Sequence, residues 1–305
     1  MYLQELTEQL ASGLARLPDD FRGRHSAYLL AARNDDGGFS GREGGSDLYY
    51  TAFALRGLAV LDALTPDIAA QSADYLRGCL VQEANVVDFF SLLYACLLIQ
   101  AYGGPDVLAD SPADWPDRVA RTLESFRTAD GGYAKTIGGA SGSTYHTFLV
   151  GLCYQLLGRE LPRQAEVISF IHSRRRDDGG FVEIAPMKRS GTNPTAAAVG
   201  VLQLCGGALD GELRAGVIAF LADMPSAEGG FRANARAPLA DLLSTFTGIW
   251  TLRQLDALDH IDHAAARRYA EALDEAIGGF RGGLWDERTD VEYTFYGLGV
   301  VGVLG

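Results

Sequence analysis

The sequence predicts an all-α protein in which six helical hairpins close into a ring, an α6/α6 toroid. Three observations point there. A Gly-Gly-aromatic element recurs along the chain, usually after an acidic residue. A polar cap and a nearly uniformly apolar helix follow each copy at a similar distance. Those apolar helices alternate with segments that carry charge along one face.

The recurring element reads DDGGF at Gly37, ADGGY at Gly131, DDGGF at Gly179, AEGGF at Gly229 and IGGF at Gly278. The last three intervals are about 48–50 residues and the first is about twice that, which places a degenerate copy near Ala84, within VQEANVVDFF. Six units of about 48 residues nearly fill the 305-residue chain, read as a single domain over 1–305. Glycine supplies the positive φ that ends one helix and redirects the chain toward the next.

The capped helices begin as DLYYTAFALRGL at Asp47, DFFSLLYACLL at Asp88, STYHTFLVGL at Ser143, GTNPTAAAVGVL at Gly191, DLLSTFTGIWTL at Asp241 and DVEYTFYGLGVV at Asp290. Between them lie PDIAAQSADYLRGCL, WPDRVARTLESF, RQAEVISFIHS, ELRAGVIAFLA and HAAARRYAEAL, which keep Arg, Asp and Glu on one side. A helix apolar all round is buried and a striped one lies at the surface. Six buried helices alternating with six surface helices close most simply as a ring inside a ring. Residues 1–20 read as an N-terminal helix packing on that ring, with Leu3, Leu6, Leu10 and Leu14 on one face.

Composition limits the function classes. A net charge of −13 argues against nucleic acid as a general partner, so an anionic ligand needs a local basic patch. No apolar run reaches the roughly 18 residues of a membrane span, and the N-terminus has no signal-peptide pattern. Cys79, Cys96, Cys153 and Cys205 sit in apolar runs outside any Cys-x-x-Cys pair. They read as buried thiols of a cytoplasmic, reducing compartment.

The Gly-Gly-aromatic turn, the cap and the following (Y)T-F-x-x-L resemble the prenyltransferase/squalene-oxidase repeat over essentially the whole chain after about residue 20. The likeness is closest to the β subunits of protein farnesyl- and geranylgeranyltransferases, and DVEYTFYGLGVVGVLG is especially similar to their last repeat. The resemblance implies an α6/α6 barrel with an apolar central cavity for an isoprenoid, and it makes a helical-repeat partner subunit plausible. It also implies a zinc site built from an Asp, a Cys two residues later and a His in the last repeat. Here Asp241 matches the Asp, Leu243 stands at the Cys position and Tyr293 at the His position. One carboxylate does not hold Zn²⁺ alone, so neither a metal nor another cofactor is expected. Asp241 then reads as a helix cap.

For diphosphate, the family uses a fourth-repeat His, which is Gly191 here, and basic residues at the barrel rim. Arg232 and Arg236 lie near the family's Arg and Lys, in a loop one residue longer. Arg281, Lys188, Arg189 and Lys135 occupy neighbouring Gly-rich loops. Helix N-termini favour an anion at that end, and the alternative is a solvated rim. Cyclase relatives place an Asp-x-Asp-Asp acid in the cap region. DVEY keeps Asp290 and Glu292 beside Tyr293. A cap carboxylate is stabilised in its charged form, so Glu292 is the better acid if it points inward and Asp290 the better cap.

Aromatics crowd the first turns of the buried helices: Tyr49, Tyr50, Phe53, Phe89, Phe90, Tyr94, Tyr145, Phe148, Phe246, Trp250, Tyr293, Phe295 and Tyr296. They suit an isoprenoid chain or a carbocation held by π faces, or else they plug the barrel. His146 is the histidine expected to approach the cavity mouth, as a base, a phosphate donor or a packing group. Three readings remain. The first is a prenyltransferase-like protein acting on an isoprenoid diphosphate without zinc-thiolate chemistry. The second is a protonating terpene cyclase using Glu292 or Asp290. The third is a toroid that binds a lipid or a partner protein without catalysis.

Overall fold

The computed structural model describes residues 1–80 and 85–305, and the degenerate turn expected at Ala84 lies outside the described residues. The N-terminal helix α1 spans Tyr2–Leu14. The surface helices are α2 (Asp19–Ala31), α4 (Pro66–Cys79), α6 (Trp115–Ser125), α8 (Gln164–Ser173), α10 (Gly211–Ala222) and α12 (His263–Leu273). The inner helices are α3 (Leu48–Val60), α5 (Val86–Ala101), α7 (Thr144–Leu156), α9 (Thr192–Leu204), α11 (Leu242–Gln254) and α13 (Val291–Leu304). Each inner helix packs on the next, and α13 returns to α3, so the inner ring closes.

In most repeats the register between the turn and its inner helix is set by one threonine. In five repeats the buried backbone N–H of the aromatic after Gly-Gly donates to a threonine hydroxyl: Phe39 to Thr51 (2.9 Å), Tyr133 to Thr147 (3.0 Å), Phe181 to Thr195 (2.9 Å), Phe231 to Thr245 (2.9 Å) and Phe280 to Thr294 (3.1 Å). The same hydroxyl donates to the carbonyl of the cap residue four positions earlier, as from Thr245 to Asp241 at 2.7 Å. Both partners lie in the dry interior, where an unpaired backbone group is costly. The side chains of Asp47, Ser143, Asp241 and Asp290 cap their helices by accepting backbone N–H groups.

The second repeat corrects the sequence reading. Its cap is Asn85, three residues before the expected Asp88. Asn85 accepts from the N–H of Val87 and Asp88, while the Asp88 carboxylate accepts from the Asn85 N–H at 3.0 Å, a reciprocal capping box. Phe89 therefore stands four residues after the cap, in the threonine column, and packs edge-on against Phe126. The loss of threonine explains why this repeat is hard to align.

Each of the five Gly-Gly turns leans on the next surface helix. Gly278, at φ +93°, shows why glycine is required at the closure. A β-carbon there would stand 2.4 Å from the Arg24 carbonyl of α2. Arg24 adds a fork on Asp274, with Nη1 donating to Oδ1 at 2.6 Å, so the last surface helix is tied to the first.

Helix α1 lies across the ring at the C-terminal end of the inner helices. Its Gly13 approaches Gly302 of α13 so closely that a β-carbon would sit 1.7 Å from the Gly302 carbonyl oxygen. At its other end Tyr2 meets Phe148 edge-on at 5.2 Å and accepts from Trp250 Nε1 at 3.0 Å. The apolar face with Leu3, Leu6, Leu10 and Leu14 is buried and floors the barrel.

Thr245→Val keeps the shape of the side chain but leaves the buried Phe231 N–H without an acceptor. It is expected to cost about 1–3 kcal/mol in urea unfolding. Thr122→Val, whose hydroxyl only back-bonds to Arg118 on α6, is expected to stay within about 0.5 kcal/mol. Equal losses would mean that the threonine bridge carries no special weight.

Candidate functional site

With the caps aligned, one column faces the ring axis. The second residue after each cap is Tyr49, Val87, Tyr145, Asn193, Leu243 or Glu292, and all six line one central cavity of about 420 Å³. Below them, toward α1, come Ala52, Phe53, Phe90, Ser91, Phe148, Leu149, Ala196, Ala197, Phe246, Thr247 and Tyr296. Arg56, Leu152 and Trp250 lie deeper, and Tyr2, Leu3 and Leu6 of α1 form the floor. The lining is mostly apolar with a few polar groups, the usual character of a small-molecule pocket.

Glu292 is one of two carboxyl groups in the cavity lining. Its Oε1 accepts from the Tyr49 hydroxyl at 2.7 Å and lies 3.2 Å from that of Tyr296. No protein group bonds to Oε2 among the described residues. Burial pushes its pKa above the usual carboxylate range, Tyr49 opposes that shift and the nearby Asp290 adds to it. Burial also raises both phenols, Tyr49 and Tyr296, so they remain donors. In its protonated form Glu292 would keep both phenol hydrogens on Oε1 and carry its own proton on Oε2.

A second carboxyl group, Glu183, reaches the mouth from the loop after Gly179. It accepts from the Ser143 hydroxyl and, at 3.3 Å, from the Tyr145 N–H; burial raises its pKa as well. Asn193 and Thr247 satisfy one another, with the hydroxyl donating to Oδ1 at 2.6 Å.

Of the residues picked out from the sequence, Tyr49, Phe53, Phe90, Tyr145, Phe148, Phe246, Trp250, Glu292 and Tyr296 line the cavity. Tyr94 and Phe295 stand just behind the wall. The Tyr94 hydroxyl is 3.0 Å from that of Thr7, and Phe295 stacks edge-on between Phe53 and Phe246. Tyr50, Tyr293 and His146 are third after their caps, about 100° further round the helix. That rotation points them away from the cavity. The rings of Tyr50 and Tyr293 cover Gly41 and Gly282. His146 packs on Tyr145, and burial and then Lys135 lower its pKa.

Asp241 and Asp290 cap their helices outside the cavity lining. Asp241 accepts from the N–H and hydroxyl of Ser244 at 2.7 and 2.9 Å. Asp290 accepts from the Tyr293 N–H at 2.8 Å and from Arg42 Nε at 2.9 Å, and Arg42 also grips Asp286. Burial raises the pKa of both caps.

The rim arginines do not gather into an anion pocket. Arg232 donates to the carbonyls of Asp223 and Met224 at the end of α10. Arg281 donates to Ala272 and pairs with Glu275 at 2.9 Å, while Arg236, Lys135, Lys188 and Arg189 are exposed. The loops lie at the right end of the barrel, but each anchored arginine holds its own turn to the preceding surface helix.

Arg56 and Glu183 are the site residues that sequence reasoning missed. Arg56 stands alone as a cation in an otherwise apolar inner helix, ALRGL, and that was the available signal. Glu183 sits in a loop, where no periodicity marks an inward side chain. Among the described residues no group of three or more His, Cys, Asp or Glu converges as a metal site, and no helix is long and apolar enough to cross a membrane.

The model of the prenyltransferase alpha-alpha toroid domain matches residues 20–76, 70–208 and 195–305. The chain belongs to this family. A search of curated protein sequences finds no match. Among solved structures, this prenyltransferase toroid is similar to a Candida albicans protein geranylgeranyltransferase-I complexed with GGPP. The TM-score is 0.71 at 14% identity, covering 91% of this chain and 89% of that one. It is similar to a type II terpene cyclase from Scytonema in complex with its substrate geranylgeranyl dihydroxybenzoate, with a TM-score of 0.63, 14% identity and coverage of 99% and 98%. It is also similar to an alpha-1,6-mannanase from Salegentibacter, with a TM-score of 0.63, 11% identity and coverage of 93% and 97%. At these identities the likeness is one of fold.

Glu292 holds its proton more tightly in the folded chain than in the unfolded one. Its contribution to stability is therefore complete below the unfolded pKa and is lost as pH rises through the folded pKa. Glu292→Gln keeps the tyrosine bonds and cannot ionise. Thermal midpoints measured from about pH 4 to about pH 8 are expected to fall more steeply for the wild type than for the variant. Parallel curves would show that burial leaves this carboxyl group unshifted.

Proposed function

We propose that the cavity binds an isoprenoid chain and that Glu292, as a neutral carboxylic acid, protonates one of its alkenes to start a cyclisation. The observation that carries this reading is a half-buried, tyrosine-braced Glu292 in the lining of a mostly apolar cavity, with Oε2 unpaired among the described residues. In the initiating step the Oε2–H bond breaks and the alkene π pair forms the new C–H bond. A tertiary carbocation and the Glu292 carboxylate remain. A second alkene of the same chain attacks the cation and closes a ring, and loss of a proton from the last cation returns the acid.

Phe53, Phe90, Phe246, Trp250 and Tyr296 supply π faces beside the path of positive charge. The tyrosine hydrogen bonds to Oε1 stabilise the carboxylate as it forms. Two fold neighbours with geranylgeranyl-bearing ligands, GGPP and geranylgeranyl dihydroxybenzoate, support the ligand class.

The alternatives meet physical obstacles. A diphosphate needs several cations, whereas among the described residues the lining offers one, Arg56, together with two carboxyl groups. A sugar, as in the mannanase, needs a partner for each hydroxyl that it buries, and this wall has few. A purely passive lipid site leaves the braced acid without a task.

Glu292→Gln is expected to lower turnover of a geranylgeranyl-chain polyene by about 100-fold or more while leaving its binding little changed. Product formation followed by mass spectrometry, alongside titration calorimetry, tests both halves. Wild-type turnover rates in the variant would remove Glu292 as the acid.

A further inference from the structure

We infer that the ligand carries a single negative charge, a carboxylate, and seats it on Arg56; this rests on the central cavity being the isoprenoid site. Arg56 is the ninth residue after its cap. The same position on the other inner helices is Tyr94, Leu152, Gly200, Trp250 or Gly299, none of them charged. Among the described residues Arg56 is the one cation lining the cavity, and it makes no ion pair. Its Nε is buried without a hydrogen-bond partner.

What holds the guanidinium is aromatic. Its central carbon lies 4.1 Å from the Phe295 ring centroid, 4.9 Å from that of Phe53 and 5.3 Å from that of Tyr94. These faces attract the charge and fix the plane of the fork, but they offer no acceptor to its N–H groups. The two carboxyl groups of the cavity do not complete it. Glu292 turns Oε1 to Tyr49 and Tyr296, and Glu183 turns to Ser143 and Tyr145. A flat, pre-oriented fork without an anion matches a carboxylate through paired N–H···O bonds.

One charge fits better than two or three, because among the described residues the cavity lining offers a diphosphate a single cation as counterweight. The site also bears on the chemistry. An unpaired guanidinium over Phe53 and Phe295 occupies the π faces and repels a carbocation nearby. Once a ligand carboxylate neutralises it, the positive charge created by Glu292, about two helical turns nearer the caps by register, meets a neutral wall.

The test compares three probes on the whole protein at neutral pH: geranylgeranoic acid, its methyl ester and GGPP. Calorimetric affinities are expected to favour the acid over the ester by about 10-fold or more and over GGPP as well. Arg56→Met is expected to abolish the acid–ester difference, and Arg56→Lys to restore part of it. Equal affinity for acid and ester in the wild type would overturn the inference while leaving the isoprenoid reading intact. So would a preference for GGPP, or an acid preference that survives in Arg56→Met. If none of the three binds, the isoprenoid reading falls and this inference falls with it. Should Arg56→Met fail to fold, as judged by circular dichroism, the wild-type comparison of acid with ester still decides.

Discussion

The threonine bridge fixes the rest of the barrel. One hydroxyl takes the N–H that the Gly-Gly turn leaves inside the protein and donates to the carbonyl of the cap. This locks the phase of the inner helix against its own loop. Turning a helix by one residue moves every side chain by about 100°, so without the lock the residue facing the axis would vary from repeat to repeat. With it in five repeats, and with the Asn85 capping box in the second, the second residue after each cap points inward all round the ring. The cavity is a consequence of that phase, and its chemistry is whatever those six side chains happen to be.

Most of the fold was legible because this device leaves marks in the sequence. Glycine is forced wherever the turn adopts positive φ against a neighbouring backbone, and the aromatic after it is forced by the interior. The second repeat, which has Phe89 where the others have threonine, was misaligned by three residues for the same reason. Its Asp88 resembles the other caps, but it serves the reciprocal half of a capping box headed by Asn85.

The site was legible only in part. Residue type alone does not tell that Tyr49 and Glu292 enter the cavity while Tyr50 and Tyr293 cover glycines in the loops; one step along a helix decides it. The rim arginines misled because charge in a Gly-rich loop near a helix N-terminus also suits an anion site. In the fold, Arg232 and Arg281 are consumed by carbonyls at the ends of surface helices. Arg56 was passed over for the opposite reason: it sits in a helix whose apolar neighbours mark it as core, and its inward direction follows only from the cap register.

The same register explains how the fold parts company with zinc-dependent prenyl transfer. Leu243, at the expected thiolate position, is an inward second-after-cap residue and contributes an apolar wall. Asp241 is spent on its own helix N-terminus through Ser244. Tyr293 is third after its cap and covers Gly282. Two of the three expected ligand positions therefore fall outside the cavity, and the third is a hydrocarbon. On the neighbouring helix the second-after-cap residue is Glu292, and burial that would penalise a metal-binding carboxylate favours its neutral form. An apolar wall, an acid whose neutral form burial favours and a lone guanidinium on aromatic faces form a consistent set. Under the proposed function this set suits a substrate that begins neutral at its reacting end and carries its charge elsewhere.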